Sequence, residues 1–323
     1  MRTRHVLLAV LIAAVWGFNF VPIKIGLEHY PPLFFAALRF TVAALPAVFL
    51  VRRPPVPARW LLLVGLPLGV GQFGLLFIAM RVGMPAGLSS VVLQLAALFT
   101  ALIAWLTLRE RLRAGQVAGM AVAFGGVAWL GVLQSGGTSG PAGAFLLCVA
   151  AAFMWGLANV AMRRMNAHAT GPVDSFGFMV WVSLVPPLPL LGLSLVFEGP
   201  DEIGRSLAHT SLEGLGALAY IAYLSTLLGY GLWGLLMRRY EAGTVSMYAL
   251  LVPPFGLAGA RFALHEDVSP ARLGAAALIV GGVALGAVRL RLRSRRPAPA
   301  AGPTAEPAAK STPDPVRDPV PTR

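Results

Sequence analysis

Residues 86–107 read AGLSSVVLQLAALFTALIAWLT, without one charged side chain. At 1.5 Å per residue a helix of this length covers a hydrocarbon core of about 30 Å. Nine further apolar stretches surround it, giving spans at 6–26, 32–51, 60–81, 86–107, 115–134, 142–163, 175–197, 211–237, 244–264 and 270–290. The chain is 57% hydrophobic and 12% charged, with a mean hydropathy of +0.74. That much apolar surface does not fit inside one soluble globule. In lipid each backbone N–H and C=O needs a partner within its own segment, so the spans are predicted to be helices. The breaks between them carry turn chemistry: Pro31-Pro32, Pro54-Pro55, Pro85, Gly136-Gly137, Gly171-Pro172, Gly199-Pro200 and Pro270. No loop is large enough for a soluble catalytic domain.

Arg2, Arg4 and His5 precede the first span as they would in a signal peptide. The apolar run continues to Ile25 and no small-x-small cleavage site follows, so it is read as a span. Lys and Arg set the orientation. With the N-terminus inside, the inner segments hold Arg2, Arg4, Arg52, Arg53, Arg59, Arg109, Arg111, Arg113, Arg163, Arg164, Arg238 and Arg239, then the run from Arg289 to Arg296. The outer segments hold few cations and an acidic loop with Glu198, Asp201, Glu202 and Glu213. Both termini are therefore expected in the cytoplasm of a multi-pass plasma-membrane protein. The net charge of +13 follows from topology and anionic lipid headgroups; no folded basic domain exists for nucleic acid. Residues 291–323 are expected to form a basic, Pro-rich disordered tail. The lone Cys148 permits no internal disulfide and reads as packing.

Residues 85–132 align without gaps to 241–288. Ser90 matches Ser246, Phe99 matches Phe255, Leu108-Arg109-Glu110 matches Leu264-His265-Glu266, and Gly125-Gly126-Val127-Ala128 matches Gly281-Gly282-Val283-Ala284. Trp16-Gly17-Phe18-Asn19 resembles Trp155-Gly156-Leu157-Ala158-Asn159. The expected fold is all-α and integral to the membrane, with ten transmembrane helices as two inverted five-helix repeats at residues 1–135 and 141–290. An odd number of spans per copy inserts the second copy from the opposite side. Such copies can exchange conformations and open a central site to alternate faces.

The chain resembles the EamA family of the drug/metabolite transporter superfamily over roughly residues 6–290. The likeness rests on Trp16-Gly17-x-Asn19-Phe20-Val21, Pro31-Pro32-Leu33, Leu38-Arg39-Phe40, Gly83-Met84-Pro85-Ala86-Gly87-Leu88 and Val92-Leu93-Gln94. Gly229-Tyr230-Gly231-x-Trp233-Gly234, Arg239-Tyr240-Glu241 and Leu250-Leu251-Val252-Pro253 complete it and are closest to the cysteine and O-acetylserine exporters of the family. Two departures are Arg163-Arg164, where the family often has paired lysines, and Ala96, where that exporter group has a second glutamine. The resemblance implies a secondary transporter, not an enzyme, exporting small amino-acid-like solutes. Broader export of amino acids or aromatic compounds is the alternative; a lipid flippase or scaffold, and pairing of two copies as a homodimer, are further readings.

Polar groups in hydrocarbon need a partner or a task. Trp16 and Asn19, and Trp155 and Asn159, each share a helix face and are candidates for a substrate path; helix–helix bonding is the competing reading. Gln72, Gln94, Lys24 and Tyr248 join them, as do Thr226, Tyr230 and Trp233 at i, i+4 and i+7. Pro22 and Pro253 each remove a helical hydrogen bond and are expected hinges or fixed bends. Lys24 and Arg39 both lie nearer the outer ends of their spans, where either could attract a substrate carboxylate or snorkel to the headgroups; Arg39 is read as structural, pairing with the acidic rim. None of the 13 acids lies near the middle of a span. A proton-coupled multidrug antiporter needs such a carboxylate, so facilitated efflux, or coupling through a less usual group, is expected. There is no P-loop and no His-Glu-x-x-His, hence neither ATP-driven transport nor a metal cofactor is expected.

Overall fold

The structure is a computed structural model that describes residues 1–109, 112–135, 142–169, 171, 173–240, 244–245 and 247–287. Residues 1–289 form one compact unit. The expected tail at 291–323, Glu110, Glu241 and the segment at 136–141 lie outside the described residues.

Among the described residues all regular structure is helical. In chain order the helices are α1 Thr3–His29, α2 Pro32–Val48, α3 Ala58–Arg81, α4 Ala86–Leu108, α5 Ala114–Ser135, α6 Ala142–His168, α7 Ser175–Phe197, the short α8 Pro200–Ala208, α9 Leu212–Arg239, α10 Met247–Ala263 and α11 Pro270–Ala287. Eight are long and apolar enough to cross a membrane; α2 and α10 are shorter apolar helices. The expectation of ten crossings thus meets eight helices of sufficient length and two that are apolar but shorter. Leu7, Leu11, Leu62, Leu63, Leu106, Leu146, Leu188 and Val196 point outward, the arrangement that lipid favours.

Glycine fixes how the helices meet. A Cβ on Gly119 would overlap the Gly282 carbonyl oxygen and the Gly286 backbone. One on Gly126 would meet Leu278, Ile279 and the Ala275 carbonyl. An early residue of α5 thus meets a late residue of α11 and a late one meets an early one, so the two helices run antiparallel at backbone contact. The aligned Gly-Gly pairs divide the same way in both copies. Gly125 and Gly281 face open space, whereas Gly126 and Gly282 are tightly packed.

The Trp-Gly motifs behave alike. Gly17 in α1 packs on Phe255, Gly256 and the Val252 carbonyl of α10. Gly156 in α6 packs on Phe99 and Thr100 of α4. Phe255 and Gly256 are the aligned counterparts of Phe99 and Thr100, so each copy's first helix lies on the other copy's fourth.

Two π-helical stretches interrupt α3 at Leu66–Gly74 and α9 at Tyr220–Leu228. Pro67 cannot supply the N–H that an α-turn needs in the first. In the second, the Thr226 hydroxyl donates to the Ile221 carbonyl at 2.7 Å and takes up backbone bonding five residues back. Single π turns are rare and cluster at functional sites.

Two carboxylates cap helices distant in sequence. α10 ends with His265 in the left-handed region (φ 53°), and the Glu266 N–H donates to the Ala260 carbonyl at 3.1 Å. The Glu266 side chain then accepts the Ala86 and Gly87 N–H groups at 2.7 and 3.0 Å, at the start of α4. Arg109, aligned with His265, is left-handed too (φ 55°). Glu198 accepts the Leu33 and Phe34 N–H groups at 2.7 and 3.1 Å and caps α2. This is the acidic rim's partner: a helix terminus and its dipole, not Arg39.

Leucine at Gly119 is expected to lower thermal stability by about 1–3 kcal/mol or to prevent folding, whereas alanine at Gly125 stays within about 1 kcal/mol of wild type. Melting of the detergent-purified protein followed by size-exclusion fluorescence checks this. Glu266→Ala removes the cap of α4, supplied from the connection between α10 and α11, and should cost about 1–2 kcal/mol in the same assay.

Candidate functional site

The π stretch of α9 organises the polar interior. The Ser225 carbonyl accepts the Trp16 indole N–H at 3.0 Å. On the next residue, the Thr226 hydroxyl accepts a hydrogen bond from Arg39 Nη2 at 3.1 Å. Adjacent positions of one helix thus hold the key side chains of α1 and α2. Gly229 leaves space for the indole, where any Cβ would collide with Nε1. Trp16 then meets Tyr230 and Trp233 at ring-centroid separations of 5.3 and 5.0 Å. Tyr248 belongs to the apolar cluster that includes Trp16 and Trp233.

Arg39 sits in the middle of α2 and is 2% exposed. It was expected near the outer end; it lies deep in the bundle instead. Its guanidinium covers the Phe73 ring of α3 at 4.0 Å and reaches Phe40 at 5.8 Å. Among the described residues no carboxylate pairs with it, and its Nε and Nη1 have no hydrogen-bond partner. Four other buried atoms also lack a hydrogen-bond partner: Asn19 Oδ1, in a residue 7% exposed, Gln72 Oε1, in one 3% exposed, and His29 Nε2 and Trp181 Nε1 elsewhere in the bundle. Gln72 adjoins Phe73 in the π stretch of α3, and Asn19 lies one turn beyond Trp16 where α1 is interrupted.

The remaining candidates have separate settings. Asn159 Nδ2 donates to the Thr100 hydroxyl at 3.2 Å, an interhelical bond between α6 and α4. The residue aligned with Thr100 is Gly256, which offers Asn19 no hydroxyl. Trp155 packs among Trp60, Val64, Ala158 and Phe178, apart from the Trp16 group. Gln94 Nε2 donates at 3.2 Å to the Ala249 carbonyl, the one that Pro253 leaves without its α-helical donor. Lys24 Nζ donates at 3.4 Å to the Met80 carbonyl at the end of α3, beside Arg81, whose guanidinium donates to the Leu27 carbonyl at 2.7 Å. Pro22 and Pro253 are both buried near the starts of helical segments.

The structure therefore brings Trp16, Thr226, Tyr230, Trp233 and Tyr248 to one region, joined by Arg39, for which the sequence reading favoured a structural role. It places Lys24, Trp155 and Asn159 elsewhere, and holds Gln94 on the Ala249 carbonyl next to Tyr248. The sequence signal for Arg39 was available: a lone cation in the centre of an apolar span. Among the described residues no Asp or Glu is buried, and no three His, Cys, Asp or Glu side chains gather as metal ligands.

The EamA-like transporter family model matches residues 3–132 and again 142–287. A probable amino-acid metabolite efflux pump of Salmonella typhimurium is 42% identical over 91% of this chain and 98% of its own. Its Escherichia coli counterpart is 40% identical with the same coverage. A probable terminal-alkyne amino-acid exporter of Streptantibioticus cattleyicolor is 29% identical over 85% of this chain and 91% of its own. A solved crystal structure superposes with a TM-score of 0.60 over 90% of this chain and 99% of its own, at 23% identity, which shows a shared fold. With both halves of its membrane-embedded length matched, the chain belongs to the EamA-like transporter family and is a multi-pass membrane transporter, not an enzyme.

Proposed function

We propose that this protein is a secondary exporter of small amino-acid-like metabolites, with cysteine and O-acetylserine as the first solutes to assay. The observation that carries the reading is the gathering of an indole, a phenol and the partly unmatched Arg39 guanidinium around the π stretch of α9. Apolar packing alone has no use for unmatched polar atoms, since each costs about 1–3 kcal/mol when buried. A polar solute that enters and leaves supplies the missing partners in turn. The amino-acid efflux pumps at 42% and 40% identity support the solute class.

The mechanism proposed is alternating access between two inverted halves, with all ten apolar helices crossing the bilayer and both termini in the cytoplasm of a bacterial plasma membrane. The reciprocal contacts of Gly119 with Gly282 and of Gly126 with Ala275 support the inversion, because a twofold axis in the membrane plane relates them. So do the π stretches in the third helix of each copy. Caps by Glu198 and Glu266 and the Lys24 and Arg81 contacts close one face. On the other face, His5 meets Tyr240 at 2.7 Å and Arg164 meets the Thr107 carbonyl at 2.8 Å. That second face carries most of the arginines, as a cytoplasmic face should. Alternation consists of breaking these two sets in turn while the glycine-packed α5 and α11 stay together.

Cells expressing the protein are expected to release more cysteine and O-acetylserine into the medium than cells without it. Trp16→Ala and Asn19→Ala should each lower that release by about tenfold, at unchanged membrane abundance. Unaltered extracellular amino-acid pools on expression, or full activity in both variants, would reject the reading.

A further inference from the structure

The proposed export of amino-acid-like solutes leaves open how such a solute is told apart from other small polar molecules. Arg39 supplies a chemical criterion. It is a permanent cation, 2% exposed, in the middle of an apolar helix. A buried charge of this kind costs several kcal/mol unless an opposite charge meets it. Among the described residues its compensation is one hydroxyl, Thr226, and the faces of Phe73 and Phe40. Neutral partners of this sort hold the side chain in place without satisfying its charge. Nε and Nη1 have nothing to accept from them; they flank Nη2, which keeps a second N–H beyond the one given to Thr226, so each of them forms a planar donor pair with Nη2. Two adjacent guanidinium donors match the two oxygens of a carboxylate.

We infer that Arg39 is the carboxylate anchor of the transport site, and that a free α-carboxylate on the solute is required for export. This inference rests on the efflux reading above. The fork that a carboxylate would fill is held by Thr226 from one side and by Phe73 from the other, so it is already positioned before the solute arrives. The α-ammonium group of the same solute has complementary acceptors in Asn19 Oδ1 and Gln72 Oε1, the unmatched buried carbonyl oxygens of α1 and α3. The absence of a buried carboxylate partner is functional in this account. A resident Asp or Glu would neutralise Arg39 permanently and compete with the solute, whereas neutral neighbours leave the charge available and let it bind and release.

Flux through the purified full-length protein in proteoliposomes tests this, with two pairs of probes: cysteine against cysteine carboxamide, and leucine against leucine carboxamide. The carboxamide removes the anion and keeps the ammonium. Wild type is expected to move the acids at least about tenfold faster than the amides, the discrimination given by a lost charge-assisted hydrogen bond pair. Arg39→Gln should bring the ratio close to one, and Arg39→Lys, which keeps the charge but not the fork, should give an intermediate ratio. Wild type moving acids and amides equally would overturn the anchor and leave export standing. Wild type moving none of the probes would overturn both. Arg39→Gln retaining the wild-type ratio would also overturn the anchor. The wild-type comparison decides the matter even if the Arg39 variants fail to fold.

Discussion

A guanidinium held inside an apolar bundle, with no carboxylate paired to it among the described residues, dominates the physics of this protein. Arg39 packs its flat face on Phe73 and gives one hydrogen bond to Thr226. Everything nearby is arranged around that cation. The hydroxyl of Thr226 is aimed by its own bond to the Ile221 carbonyl, which exists because α9 is wound as a π-helix there. The preceding residue of the same stretch receives the Trp16 indole. A regular α-helix of the same sequence would rotate Ser225 and Thr226 relative to Tyr230 and Trp233 and pull the group apart.

Close glycine packing supplies the frame on which this polar group is mounted. α5 and α11 meet at backbone contact, and the two Trp-Gly motifs seat α1 and α6 on α10 and α4. In lipid, association rests on such close approach, because burying apolar side chains gains little when the solvent is itself apolar. The same logic explains the carboxylates. Glu198 and Glu266 serve the N-termini of α2 and α4, where N–H groups would otherwise lack partners.

Much of the frame was legible in the sequence because it depends on composition and repetition. The apolar spans coincide with the helices, and the aligned Gly125-Gly126 and Gly281-Gly282 pairs foretold matching environments. The Trp16 and Asn19 spacing pointed to a real cluster at Trp16. Other features were not legible. A π turn leaves no mark in hydrophobic periodicity, since one extra residue per turn shifts the pattern by less than its natural scatter. Arg39 was read as structural, near the outer end of its span, whereas it lies at the middle of α2 and the bundle covers it. The link between Gln94 and Pro253 needed three dimensions: the proline frees a carbonyl, and only packing of α4 on α10 shows which side chain reaches it. Asn159 and Asn19 look equivalent in sequence, yet the Thr100 and Gly256 difference gives one a partner and leaves the other's oxygen without one.

The decisive measurement is the distance between a bound amino acid's carboxyl carbon and the Arg39 guanidinium carbon, read by solid-state NMR dipolar recoupling. The sample is the full-length protein in bilayers with carboxyl-labelled cysteine, labelled arginine, and Arg39→Lys as the spectral subtraction. A bidentate contact places the two carbons about 4 Å apart, so strong dephasing that vanishes in Arg39→Lys is the predicted result. Saturating cysteine that produces no dephasing at the arginine signal would contradict the account.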